Sequence, residues 1–104
     1  MPAVIAALIE ATSDVRSLLL AHGEKHISAR LLNLERDLAA GDRRAVRSAV
    51  SETTGGMGSL NDRILAASNG DQIERWRERS INVKLRRLID TMRERANAAR
   101  STPY

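Results

Sequence analysis

His22, Glu24 and His26 sit close together in the chain. Two imidazoles four residues apart on one helix could share a metal ion. Gly23 falls between them and is expected to interrupt the helix, and no third ligand is evident nearby. Both histidines are therefore read as surface or capping groups at a helix junction, and neither a metal nor any other cofactor is expected.

The second candidate is Gly55-Gly56-Met57-Gly58-Ser59-Leu60-Asn61-Asp62. Backbone N–H groups in glycine loops can cradle phosphate. A nucleotide-binding P-loop, however, follows a strand and ends in Lys-Ser/Thr, whereas here the preceding segment reads as helix and Met57 and Leu60 lie within the loop. A dinucleotide fingerprint fails on the same ground. Three glycines in four positions lose much backbone entropy on ordering, so the loop exists for its shape. In the structural reading, Met57 and Leu60 plug into the core while Ser59, Asn61 and Asp62 satisfy loose backbone groups. In the functional reading, the loop binds a partner.

Catalysis is not expected. Ser59 lacks the Gly-x-Ser-x-Gly setting of a nucleophile elbow. Glu74 and Glu78 are four apart but lie among Arg75, Arg77 and Arg79, so no acid/base pair stands out. The stretch from Arg75 to Arg100 holds nine basic residues against Glu78, Asp90 and Glu94. It reads as a solvated basic face, as a nucleic-acid contact through phosphates, or as a dock for an acidic protein. Trp76 shares an apolar stripe with Ile73 and is expected in the core; exposure there would instead mark a docking surface.

The elements that must position these residues follow from periodicity. Val4, Ile5, Leu8, Ile9, Thr12, Val15, Leu18 and Leu19 line one helical face, and Gly23 is free to take the left-handed cap. Ile27, Leu31, Leu34 and Leu38 make the stripe of a second helix ending at Gly41. Asp42 is placed to cap a third, about 43–52, with Ala45, Val46, Ala49 and Val50 on its apolar side. A short helix is expected from Leu60 to about Ser68, with Ser59 and Asp62 at capping-box spacing. Asp71 and Glu74 repeat that spacing before a long helix, about 72–99, carrying Ile81, Leu85, Leu88, Ile89, Met92 and Ala96. The tail, 100–104, is expected to fray. No strand-like alternation, repeat or linker is seen. The expectation is a single all-α domain spanning 1–104: a compact bundle of four main helices plus one short helix after the Gly-rich loop.

With 104 residues, 42% hydrophobic and 29% charged, the chain has the composition of one globular domain. Phe is absent and only Trp76 and Tyr104 are aromatic, so the core must be aliphatic. The absence of cysteine rules out disulfides and thiolate chemistry. The N-terminus lacks a signal peptide's basic region, and no apolar run approaches the roughly 20 residues needed to cross a bilayer. A cytoplasmic location away from membranes is expected. The net charge is +4, and Arg supplies fifteen of the seventeen basic residues; Arg suits forked bonds to carboxylate or phosphate.

The motif at residues 55–62, together with Leu34 to Asp42 and its Asp-Leu-Ala-Ala-Gly-Asp stretch, resembles a family of small uncharacterised bacterial helical proteins. The resemblance spans roughly residues 15–98. It departs at Arg63, where an apolar residue would be expected, and near Ile27, where an aromatic would be. It implies a small bacterial helical domain with a distinctive loop, and no activity.

The functional expectation is a non-catalytic protein-binding or regulatory module, one concrete form being an inhibitory partner of the immunity or antitoxin kind. The expected contact residues are Met57, Gly58, Ser59, Asn61, Asp62, Arg63 and Arg75. The alternative is nucleic-acid binding through the Arg-rich last helix, and homo-oligomerisation through that helix is a further expectation.

Overall fold

In the computed structural model, which describes residues 1–56 and 58–102, the chain forms four helices: α1 (Ala3–Ala21), α2 (Lys25–Ala39), α3 (Arg43–Thr54) and α4 (Glu78–Ser101). Each begins or ends where local chemistry requires it. The Pro2 carbonyl accepts from the Ile5 and Ala6 amides, starting α1. Gly23, with φ of +84°, ends the turn after α1 in the left-handed region open to glycine. The Asp42 carboxylate accepts the Arg44 amide at 2.9 Å, capping α3 as expected.

The apolar stripes meet in one core. Ile5, Leu8, Val15 and Leu19 of α1 join Ile27, Leu31 and Leu38 of α2, Val46 and Ala49 of α3, and Leu85, Ile89 and Met92 of α4. Thr12 is also fully buried, its hydroxyl donating to the Leu8 carbonyl at 2.8 Å. Helix α1 packs on both α2 and α4, and α3 packs on α4, while α2 and α3 touch less. At 1.5 Å per residue, the 24 residues of α4 span about 36 Å and account for much of the 44 Å long axis. The architecture is an all-α bundle, as the periodicity predicts.

The segment between α3 and α4 departs from expectation. The short helix expected over 60–68 is replaced by two single 3₁₀ turns, Leu60–Asp62 and Ala67–Asn69, separated by extended backbone. The long helix starts later than expected, at Glu78, after a third 3₁₀ turn, Arg75–Arg77. Neither capping box forms. Ser59 Oγ donates to the Gly56 carbonyl at 2.6 Å, and Asp71 Oδ2 accepts the Ala66 amide at 2.9 Å. At the other end α4 runs through Arg100 and Ser101, which were expected to fray; Pro103 and Tyr104 lie outside the described residues.

Candidate functional site: the segment between α3 and α4

Two leucines anchor this segment. Leu60 and Leu65 are both fully buried in the core. Hydrophobic anchoring alone would leave the intervening amides without partners, and a buried unpaired backbone group costs about 1–3 kcal/mol. Side chains from the flanking elements fill that role. Asn82 of α4 grips Leu65 as a neighbouring strand would: its Oδ1 accepts the Leu65 amide at 2.8 Å and its Nδ2 donates to the Leu65 carbonyl at 2.7 Å. Glu78 Oε1 accepts the Ala67 amide at 2.7 Å, and Glu52 Oε1 of α3 accepts the Leu60 amide at 3.1 Å. Arg30 of α2 holds Glu52 with a forked pair at 2.6 and 3.1 Å.

Asn61 faces inward. Arg86 of α4 clamps it with two bonds, to Oδ1 at 2.8 Å and to the backbone carbonyl at 2.9 Å. A further set of contacts ties the segment to the α1–α2 turn. The Gln72 amide donates to the His22 carbonyl at 2.9 Å, and the half-turn is closed by His22 Nδ1, which donates to the Gln72 carbonyl at 2.8 Å. His22 is thus the C-cap residue of α1, a capping group as expected, and it is buried rather than at the surface.

Beside it Glu24 stands next to Asp71. Hydrogen bonding to Asp71, followed by partial burial, raises the Glu24 pKa from its ordinary value, against the pull of Arg63. Glu24 and Asp71 are distant in the chain, and only the fold brings them together. Arg63 reaches Glu24 at 3.5 Å, while its buried Nε has no hydrogen-bond partner among the described residues.

The glycines serve this shape at two positions. A Cβ on Gly55 would meet the Ser51 carbonyl oxygen at 2.6 Å, too close for any other residue. Gly58 has φ of +83°, which a side chain strains. Gly56 shows neither constraint.

The fold gathers some of the expected contact residues and separates others. Gly58, Ser59, Asp62 and Arg63 line one hollow of about 240 Å³ together with Ile64 and Asn69. Asp62 is exposed, and its carboxylate has no partner among the described residues. Asn61 is half-buried and committed to Gly55 and Arg86. Arg75 lies apart, exposed in the turn before α4. Met57 is outside the described residues. On the other side, Arg30, Asn33, Asp37, Ser51 and Gly56 help to line a cleft of about 590 Å³ between α2 and α3, whose Arg30 is already paired with Glu52.

Two exposed apolar residues lie in this segment. Ile64 is 61% exposed, and Trp76, expected in the core, is 79% exposed. The guanidinium of Arg77 stands 5.9 Å from the centre of the Trp76 ring. The core assignment assumed helix through Ile73 and Trp76. The backbone instead bends at Gln72, where the Ile73 amide donates to the Asp71 carbonyl at 3.0 Å, is extended at Glu74 and then turns as 3₁₀, with Ile73 packed on the core and Trp76 outward. The clamp by Asn82 was equally hidden, although a weak helix former inside a long helix is a signal that could have marked it.

A family model described as a domain of unknown function (DUF6966) matches residues 20–74, from the end of α1 through α2, α3 and most of the connecting segment. No curated protein and no solved structure matches the chain.

Proposed function

The chain belongs to the DUF6966 family, whose description names no activity, and from its own residues we propose that it is a non-catalytic module that binds another protein through the outer face of the Gly-rich segment. The observation that carries this reading is Ile64. It is 61% exposed and immediately precedes the buried, clamped Leu65, so a large aliphatic group is held towards water on a backbone that is fixed in place. Asp62 and Arg63 flank it on the rim of the same hollow. At about 240 Å³ that hollow is smaller than the roughly 300–1,000 Å³ of small-molecule sites, which favours a macromolecular surface. Such a partner would bring an apolar side chain to Ile64 and a cation to Asp62. The face lies inside the family-matched interval. An inhibitory role of the immunity or antitoxin kind, in the bacterial cytoplasm, is one form this module would take.

No helix among the described residues is long and apolar enough to cross a membrane. The test is affinity capture of the tagged chain from cells that make it, with nuclease treatment, comparing wild type with Asp62→Ala and Ile64→Ala. The reading expects a nuclease-resistant protein that both variants lose while keeping their melting temperatures. Recovery that nuclease abolishes, or that neither variant changes, overturns it.

A further inference from the structure

Helix α4 presents two opposite faces. Ile81, Leu85, Ile89 and Met92 are buried against the rest of the bundle. At the helical repeat of 3.6 residues, the positions opposite them before the middle of the helix are Arg79, Val83 and Arg87. All three are exposed, Val83 at 48%. Trp76, in the 3₁₀ turn that leads into α4, stands one turn ahead of Arg79. The outer face of α4 therefore carries Arg79, Val83 and Arg87, and the exposed Trp76 stands ahead of it in the 3₁₀ turn, so that two exposed apolar groups seven residues apart alternate along the chain with two guanidinium groups. Arg75 and Lys84 are exposed beside it. Of the acids nearby, Glu78 is occupied by the Ala67 amide, leaving Glu74 against a surplus of cations.

We infer that this outer face docks an acidic amphipathic helix of a protein partner, one that offers apolar residues at heptad spacing to Trp76 and Val83 and carboxylates to Arg79 and Arg87. The inference rests on the chain being a protein-binding module but not on the Gly-rich face. Charge complementarity selects the occupant. A second copy would set the same guanidinium groups against each other on a chain that already carries +4. Single-stranded nucleic acid would stack successive bases on successive aromatics. This chain offers a single Trp and no Phe, and Arg77 already stands over the Trp76 ring. Further along this outer face the positions after Arg87 are Asp90 and Glu94, acids that suit a short helix better than a running phosphate backbone. An exposed Trp bordered by Arg has the composition of an interface hot spot.

Trp76 is the chain's only tryptophan, so its emission reports on this face alone. The probes are synthetic helical peptides about three heptads long, with leucines seven residues apart and either glutamates or lysines flanking them. An oligothymidylate and a dilution series of the protein itself complete the set. The expected result is a saturable blue shift with the Glu-flanked peptide, weakened at least tenfold in Arg79→Glu/Arg87→Glu and abolished by Val83→Glu, with the melting temperatures of these exposed variants unchanged. No saturable shift with the Glu-flanked peptide overturns the proposal. So does an equal shift with the Lys-flanked peptide, a shift with oligothymidylate only, or a shift produced by the protein's own concentration. If it fails while loss of the captured protein in Asp62→Ala persists, the Gly-rich face remains the working surface.

Discussion

Replacing Asn82 with Ala separates two accounts by sign. Asn is a poorer helix former than Ala by up to about 0.7 kcal/mol, so if Asn82 only occupied a helical position, Asn82→Ala would stabilise the fold. Asn82 instead holds both backbone groups of Leu65, at 2.8 and 2.7 Å, and also the Glu78 carbonyl at 2.8 Å. Leu65 itself is fully buried. Removing the amide leaves its N–H and C=O without protein partners, at about 1–3 kcal/mol each. Water admitted by local opening recovers part of this, and the gain in helix propensity offsets a little more. The net expectation is a loss of about 2–3 kcal/mol, or roughly 10–20 °C in melting temperature for a domain near this size. Urea and thermal unfolding followed by circular dichroism would measure it, with Ser80→Ala as a control that should stay within about 0.5 kcal/mol. A neutral or stabilised Asn82→Ala protein would refute the claim that α4 pins the segment.

Gly58→Ala is expected to cost about 1–2 kcal/mol through its left-handed backbone, whereas Gly56→Ala, free of close contacts, should be neutral or slightly stabilising; denaturation midpoints test both. Glu24 has a raised pKa, chiefly through hydrogen bonding to Asp71, so its favourable contribution is present at low pH and lost as pH rises through that raised value. Glu24→Gln, which resembles the neutral acid, should melt above wild type at neutral pH, and the difference should vanish as pH falls into the carboxylate range. Trp76 is 79% exposed, so its fluorescence should have a water-like maximum in the native protein and shift little on unfolding; a large red shift would return it to the core.

The helices were legible in the sequence because their faces are set by local repetition. Ile27, Leu31, Leu34 and Leu38 announce α2, and Asp42 announces the start of α3, with no knowledge of anything outside each segment. Residues 60–77 were not, because what fixes them is remote. The Leu65 amide is answered by Asn82, that of Leu60 by Glu52 and that of Gln72 by His22. Partners so far away in the chain leave no periodic trace, and capping spacing at Ser59 and Asp71 suggested helices that these tertiary bonds override. Trp76 was misplaced for the same reason, since its phase was read from a helix that had not yet begun. Of the expected contact residues, Gly58, Ser59, Asp62 and Arg63 share a hollow because they are neighbours in sequence. The inward turn of Asn61 depends on Arg86, one helix away.

The most direct test of the account is a paired measurement on Ile64→Ala and Asp62→Ala: affinity for the captured partner by calorimetry, and melting temperature of each variant alone. At least a tenfold loss of affinity is expected in both, with melting within about 2 °C of wild type, since Ile64 is mostly exposed and the Asp62 carboxylate has no partner among the described residues. Unchanged affinity with a large fall in melting temperature would contradict it and leave the segment a structural device alone.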